Sequence, residues 1–260
     1  MLQYIDIHCH LPDNYFYKSI DSHIKTWSQM GLRHVVSVSQ NYSESIRTLE
    51  LEKKYPMFII PAIGIHPWKA HKKHEDLDLI NELLSQRKIK ILGEIGLDKH
   101  FITQKERYPF QRKVLDFFIE LAEREEYRLM LHIKGAEEEI INKIETSTIS
   151  GKYCCIHWFS GSTKMLRKFI DLDCYFSCGP ALEYSIKHQQ VPLMAPLERL
   201  LTESDGNVMY RGRVGHPGLI PEVVNLIANL TRHSRSKIQE IVIRNFFQFL
   251  GIEQYSYLDT

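Results

Sequence analysis

Near its start the chain carries the stretch Asp6-Ile7-His8-Cys9-His10. Alternate side chains of an extended strand share a face, so Asp6, His8 and His10 are predicted to point the same way. Two imidazoles on one strand face, with a carboxylate behind them, are typical of a pair of metal ligands supported by a neighbouring acid. Cys9 faces away from the two histidines and is predicted to pack in the core.

Further residues of metal-ligating types each close a short apolar run farther along the chain: Glu94, His132, His157 and Asp205. A lone pair of histidines is weak evidence for a metal site. With the run that leads into His8 and His10, five apolar runs end on candidate ligands. This is stronger evidence, because chance does not easily place imidazoles and carboxylates at equivalent points of several strands.

Apolar runs of strand length alternate with amphipathic segments of helix length. The strands are predicted at residues 4–8, 34–38, 58–63, 89–95, 129–132, 153–157, 174–177 and 199–202, and the helices at 18–30, 43–54, 76–86, 105–124, 136–145, 163–171, 220–230 and 235–250. This alternation indicates a parallel α/β sheet, and eight repeats predict closure into a (β/α)8 TIM barrel. A doubly wound open sheet is the alternative, since periodicity alone does not prove closure.

No linker, repeat or low-complexity stretch divides the sequence, so residues 1–260 are predicted to form a single domain, of which 254–260 are polar and expected to fray. At 260 residues and 43% hydrophobic, the chain can bury a large core, and a net charge of +1 argues against a protein that coats nucleic acid by charge alone. Its five cysteines form no CxxC pair, which favours reduced thiols and a cytoplasmic protein. No signal peptide and no apolar run of about 18 residues is visible, so no membrane association is expected.

In a (β/α)8 barrel the chemistry lies at the carboxyl ends of the strands, and the candidate ligands fall there on the first, fourth, fifth, sixth and eighth strands. Six ligands are too many for one tetrahedral ion and suit two divalent ions that share a carboxylate. We therefore assign His8, His10, Glu94 and Asp205 to one ion, and the shared Glu94 with His132 and His157 to the other. Mixed nitrogen and oxygen donors favour Zn or Mn, and Mg remains open.

Two ions about 3.5–4 Å apart would clamp a phosphodiester, activate a water and stabilise the leaving oxygen. Asp205, after the last strand, could orient or deprotonate that water. The catalytic residues predicted on this basis are Glu94 and Asp205.

Taken together, the motifs resemble the TatD family of metal-dependent deoxyribonucleases, within the amidohydrolase-like barrels. The resemblance covers nearly the whole chain and rests on residues 6–10, Gly64-Ile65-His66-Pro67, residues 93–98, His132, residues 157–161 and Glu203-Ser204-Asp205. It implies a TIM barrel, divalent-metal dependence and 3′→5′ exonuclease activity on DNA, sometimes with cleavage of RNA or of abasic sites. Carried over by position, the family's ligands coincide with the six named above.

Lactonase and dihydroorotase relatives commonly bridge their metals with a carbamylated lysine at the end of the fourth strand. Here Glu94 stands at that end and Lys90 comes too early, which favours the nuclease branch. The family usually has Thr at Ser204, Pro at Asn207, Arg near Lys134 and Cys at Trp158, which indicates altered substrate geometry. Trp158 and residues 178–181 resemble a divergent branch of bacterial anti-phage operons, the QatD-type nucleases, which would add protein partners from a defence operon.

Around the predicted metals, the substrate-binding residues are expected to be His66, Lys134, Trp158, Arg211 and Arg213, with His66 also counted as catalytic. Asp98 is predicted either to bond the loop near the site or to cap a helix. The expected partner is DNA, as a single strand or a 3′ end. Two other hypotheses stay open: a hydrolase of a small ester, lactone or phosphoester, and a subunit that acts only with a partner protein.

Overall fold

A computed structural model describes residues 3–252, so the predicted fraying of 254–260 lies outside the described residues. Eight parallel strands form one sheet in which each strand pairs with the next along the chain. The strands are β1 (Tyr4–Cys9), β2 (Leu32–Val38), β3 (Ile59–Ile63), β4 (Ile91–Asp98), β5 (Arg128–Lys134), β6 (Cys154–His157), β7 (Tyr175–Cys178) and β8 (Leu200–Thr202). All eight predicted strands are present.

Helices connect the strands as the alternating pattern predicts. They are α1 (Asn14–Tyr17), α2 (Ile20–Gln29), α3 (Tyr42–Lys54), α4 (Ala70–Lys73), α5 (Leu77–Ser85), α6 (Tyr108–Arg124), α7 (Glu137–Thr146), α8 (Thr163–Asp171), α9 (Ile186–Met194), α10 (Ile220–Thr231) and α11 (Arg235–Leu250). After β8 a short hairpin of β9 (Met209–Tyr210) and β10 (Arg213–Val214) is added. The sequence did not predict this hairpin, α1, α4 or α9, because four-residue helices show no period and α9 contains Pro192.

Hydrogen bonds between β8 and β1 bring the two ends of the sheet together. The Thr202 hydroxyl donates to the Ile5 carbonyl at 2.6 Å. Beyond β8, the Asp205 amide donates to the carbonyl of His8 at 3.0 Å, and the His10 amide donates to the carbonyl of Gly206 at 2.7 Å. The sheet is therefore a nearly closed barrel, and the open-sheet alternative is wrong.

Helix α11 lies across the amino ends of the strands. Gln239 donates to the carbonyl of Gln3 just before β1, and Asn245 donates to the carbonyl of Leu200 at the start of β8. The side chain of Arg128, the first residue of β5, donates to the carbonyl of Phe249. Because α11 covers the amino ends, the loops at the carboxyl ends remain available for a site, as barrel enzymes require.

Within residues 3–252, none of the helices combines the length and the apolar character that crossing a membrane requires.

Candidate metal centre

His8 in β1 and His10 directly after β1 lie on the same side at the carboxyl end of the barrel, as the alternation predicts. Asp6 makes no hydrogen bond to either imidazole within the described residues: its Oδ1 accepts the backbone amides of His8 at 3.1 Å and of Ser204 at 3.0 Å, and His8 Nδ1 has no partner. The expectation that Asp6 supports a ligand ring is therefore corrected. Asp6 instead joins the backbone of β1 to the backbone that follows β8, and burial raises its pKa to about 7.

Four predicted ligands converge on one point. His8 Nε2 lies 3.4 Å from His10 Nε2, and each of these nitrogens lies 3.4 Å from Glu94 Oε2. Asp205 Oδ1 lies 3.6 Å from His8 Nε2 and 3.4 Å from His10 Nε2. Tetrahedral coordination with bonds of about 2.0–2.2 Å places ligand atoms about 3.3–3.6 Å apart, so these donors fit a divalent ion without rearrangement.

The other oxygen of Glu94 faces a second group of imidazoles. Oε1 lies 2.8 Å from His132 Nδ1, 3.3 Å from His66 Nε2 and 3.6 Å from His157 Nε2. His66 Nε2 and His132 Nδ1 are themselves 3.3 Å apart. His66, predicted to contact substrate, therefore stands among the donors of the second cluster, which makes it a candidate ligand as well.

Glu94 and His132 both lie inside their strands, whereas each was expected to close an apolar run. Strand β4 continues to Asp98, and its pairing with β5 shifts register between Leu92 and Ile95. Gly96 has a φ of 144°, and a Cβ there would lie 2.0 Å from the carbonyl oxygen of His132. A glycine is needed at this approach, which brings the backbone of β4 close enough to β5 for Glu94 to reach His132.

Two buried carboxylates that the sequence did not single out as ligand supports hold the imidazoles of the second cluster. Asp98 Oδ2 accepts the Nε2 of His132 at 2.9 Å and the indole N–H of Trp68 at 2.6 Å. Glu203 Oε2 accepts the Nδ1 of His157 at 2.5 Å. Such acids fix ring orientation and raise the basicity of a ligand. The available signal was their spacing within motifs already noted, four residues after Glu94 and two before Asp205.

Electrostatics favour anionic carboxylates in the cluster. Although burial raises the pKa of Glu94, the neighbouring His66 and His8 hold it well below its ordinary value. Burial also raises the pKa of Asp205, and His157 and His10 bring it below the ordinary value. Burial lowers the pKa of His66 to about 4. Ionised carboxylates are donors that a divalent cation requires. Although burial lowers the pKa of His8, ionised Glu94 raises it to about 9, so a cation bound there would displace a proton from that imidazole.

We expect Glu203→Gln to weaken metal binding by about 10- to 100-fold, the usual cost of losing an acid that orients a ligand. Glu203 Oε2 also accepts the Ser177 hydroxyl at 2.7 Å, and Oε1 accepts the Trp158 amide at 3.1 Å. A glutamine has one oxygen for these donors, so it cannot satisfy them all. Calorimetric titration of the metal-free protein with Zn or Mn measures the effect.

Glu198→Gln serves as the control for this titration, because Glu198 is exposed and lies five residues earlier in the chain, away from the ligands. Unchanged affinity in Glu203→Gln, with both variants folded as judged by circular dichroism, would show that Glu203 does not support a ligand.

The donors line one side of a cavity of about 500 Å³ at the carboxyl end of the barrel. Its wall also contains Lys134 and Trp158, both predicted to bind substrate. Lys134 Nζ donates to the carbonyl of Trp158 at 2.7 Å and to Ser160 Oγ at 2.8 Å. It therefore supports the loop after β6 and places its Nζ beside the cavity.

The arginines predicted to bind substrate do not line this cavity. Arg213 in β10 pairs with Glu222 at 2.8 Å, and Arg211 lies over the ring of Tyr184 with its guanidinium 4.3 Å from the ring centre. Although both follow Asp205 closely in sequence, they lie in the β9–β10 hairpin and are not part of the cavity lining.

A (β/α)8 barrel whose strands present imidazoles and carboxylates at their carboxyl ends has the architecture of the barrel metallohydrolases. Residues 5–251 match the family model described as TatD related DNase, and the chain therefore belongs to this family.

Relatives of known sequence and structure agree with this assignment. The chain is 29% identical to the uncharacterized metal-dependent hydrolase MG009 of Mycoplasma genitalium, over 94% of this chain and 97% of that protein. It is 25% identical to the human deoxyribonuclease TATDN3, over 77% of each chain. The crystal structure of YjjV, a TatD homologue from Escherichia coli K12, superposes with a TM-score of 0.88 at 23% identity, covering 96% of this chain and 98% of that one.

Proposed function

We propose that this protein is a divalent-metal-dependent deoxyribonuclease that removes nucleotides from the 3′ end of DNA. One observation carries the two-metal part of this proposal: the two oxygens of the Glu94 carboxylate face different groups of imidazoles. Oε2 faces His8 and His10, while Oε1 faces His66, His132 and His157. Such a carboxylate is suited to be shared by two cations. The naming of relatives such as TATDN3 as deoxyribonucleases supports DNA as the substrate.

His8, His10, Glu94 and Asp205 would hold one cation, and the shared Glu94 with His132 and His157 would hold the other. Divalent ions so placed supply charge that polarises a phosphodiester and lowers the pKa of a water. Zn and Mn suit these donors, and Mg is the third metal to test.

The chain's own residues supply the positioning and the proton acceptor. Asp205 is buried, and its depressed pKa keeps it ionised near neutral pH, so it can accept the proton of the attacking water. Attack of this water on phosphorus breaks the bond to the 3′ oxygen of the preceding nucleotide, which takes up a proton from solvent and becomes a 3′ hydroxyl. The terminal nucleotide leaves as a 5′-mononucleotide. Lys134 and His66 lie on the cavity wall where they can contact the phosphate oxygens.

The size of the cavity favours cleavage at a chain end. Small-molecule sites occupy about 300–1,000 Å³, and this cavity of about 500 Å³ matches a single nucleotide better than a continuous duplex. A single unpaired nucleotide, such as one at a strand end, fits a space of this size.

A single-stranded oligonucleotide labelled at either end tests the proposal under Mg, Mn or Zn. We expect the 3′ label to appear at once as a mononucleotide, while the 5′ label stays on products that shorten gradually. Dialysis against EDTA should abolish both signals and added metal should restore them. Early release of a 5′ label as mononucleotide would reverse the polarity, and no hydrolysis under any metal would overturn the proposal.

The cavity volume also favours a second candidate, a hydrolase of a small phosphoester, ester or lactone. A substrate panel with bis(p-nitrophenyl) phosphate, phosphomonoesters and lactones decides between the two. Turnover of one of these compounds, without any loss of DNA, would establish the second candidate. The defence role and the partner proteins suggested by Trp158 stay predictions.

A further inference from the structure

An aromatic pair stands at the mouth of the cavity, outside the metal-ligating cluster. Trp68 follows His66 in the loop after β3, and Phe101 lies in the loop after β4. Their ring centres are 5.6 Å apart in an edge-to-face arrangement. Both side chains line the cavity, yet Trp68 is 43% exposed and Phe101 is 59% exposed. Large aromatic rings with this much exposure are suited to contact a ligand.

A buried carboxylate, Asp98, holds the Trp68 ring in place. Its indole N–H donates to Asp98 Oδ2 at 2.6 Å, and Asp98 Oδ1 accepts the backbone amides of His100 at 2.9 Å and Phe101 at 2.7 Å. One buried carboxylate thus fixes the indole and the backbone that carries Phe101. The pair is preorganised, which reduces the entropy lost when a ligand stacks on it.

The distance from the pair to the metal-ligating cluster is short. The Trp68 ring centre lies 5.1 Å from that of His66 and 6.3 Å from that of His132. A planar group stacked on Trp68 or Phe101 therefore belongs to the part of the substrate that borders the reacting phosphate.

The segments that follow Trp68 and Phe101 in the sequence carry exposed lysines. Lys69 and Lys72 follow Trp68, and Lys105 follows Phe101; all three are exposed. Within residues 3–252 none of these three has an ion-pair partner, although Lys73 nearby is paired with Asp76. Exposed aromatic rings on segments that also carry ammonium groups without an ion-pair partner are features with which proteins bind single-stranded nucleic acid.

We infer that Trp68 and Phe101 form a stacking site for an unpaired base of the DNA strand, next to the scissile phosphate. The inference rests on the proposed function, because it assigns the part of the substrate that lies outside the metal cluster. A base in a duplex is already stacked and paired, so this site selects frayed or single-stranded ends.

Binding in EDTA separates this site from metal chemistry. The probes are a 5′-fluorescein single-stranded 12-mer and a matched 12-mer whose last three nucleotides at the 3′ end are abasic. Binding of each probe to the full-length protein is measured by fluorescence anisotropy. We expect Phe101→Ala and Trp68→Ala each to raise the Kd for the normal oligonucleotide by about tenfold, within the range for one stacked base, and to leave the Kd for the abasic one unchanged. Trp68→Phe keeps a ring and is expected to lose less than Trp68→Ala.

Leu79→Ala, at a residue of α5 that is 45% exposed, is the control for removal of a surface apolar group. Equal Kd values in wild type and both alanine variants, or an equal loss on the abasic oligonucleotide, would overturn the stacking site. Hydrolysis by wild type measured in parallel reports on the proposed function. Base-dependent binding without hydrolysis under any metal would overturn the proposed function while leaving the stacking site supported.

Discussion

Glu94→Gln is expected to lower the rate of hydrolysis by about 10³-fold or more while the protein still folds. The carboxylate presents one oxygen to His8 and His10 and the other to His132 and its neighbours. A glutamine offers one oxygen and one N–H₂ group, so one of the two histidine clusters would face a donor in place of an acceptor. Loss of one electrostatic contact at a reacting centre typically costs 10²–10³-fold, and this change disturbs both clusters.

Two measurements on the same protein sample check this expectation. Hydrolysis of labelled single-stranded DNA gives the rate, and elemental analysis after gel filtration gives the metal bound per chain, which should fall from about two toward one or zero. Glu240→Gln, an exposed glutamate of α11, is the matched control. If Glu94→Gln retained full activity and its full metal content, the shared-carboxylate assignment would be wrong.

Asp205→Asn is expected to reduce the maximal rate by about 10²–10³-fold, with a smaller effect on metal content than Glu94→Gln. The amide retains the shape of the side chain, and the backbone bond from Asp205 to the His8 carbonyl is unaffected. What disappears is the negative charge near His8, His10 and His157, together with the capacity to accept a proton from water.

Rates measured at saturating metal separate the two roles of Asp205. A rate that stays low when added metal fills the site supports the role of proton acceptor. A rate that returns to the wild-type value would leave Asp205 as a ligand alone. Asp78→Asn, at an exposed position in α5, controls for the removal of a carboxylate charge.

The barrel was predictable because its signals are local. Each strand is a short apolar run and most helices show a clear period, so element types and order follow from the pattern. The predicted run at 89–95 nevertheless ended too early, since β4 extends to Asp98. The pairing irregularity after Leu92 depends on contact with β5 and cannot be read from one strand alone.

The convergence of the candidate ligands was predictable for a related reason: parallel strands bring their carboxyl ends to one face of the barrel. The carboxylates that accept hydrogen bonds from those ligands were not predictable. Whether Asp98 caps a helix or holds His132, and whether Glu203 reaches His157, depends on side-chain directions across neighbouring strands. Proximity to Asp205 in sequence did not indicate that Arg211 and Arg213 are absent from the cavity lining, because the contacts of Arg211 with Tyr184 and of Arg213 with Glu222 form only in the folded chain.

Two of the hydrogen bonds that close the barrel involve residues that would bind the cations. The Asp205 amide reaches the carbonyl of His8, and the His10 amide reaches that of Gly206, so ligands from the first and last strands meet across the seam. A cation bound by His8, His10 and Asp205 together would cross-link the start of the chain to the segment after β8. Ligation at 1,000 times the Kd would add about 4 kcal/mol to the free energy of unfolding. The concentration of the metal would therefore set the stability of the fold as well as the rate of the proposed hydrolysis.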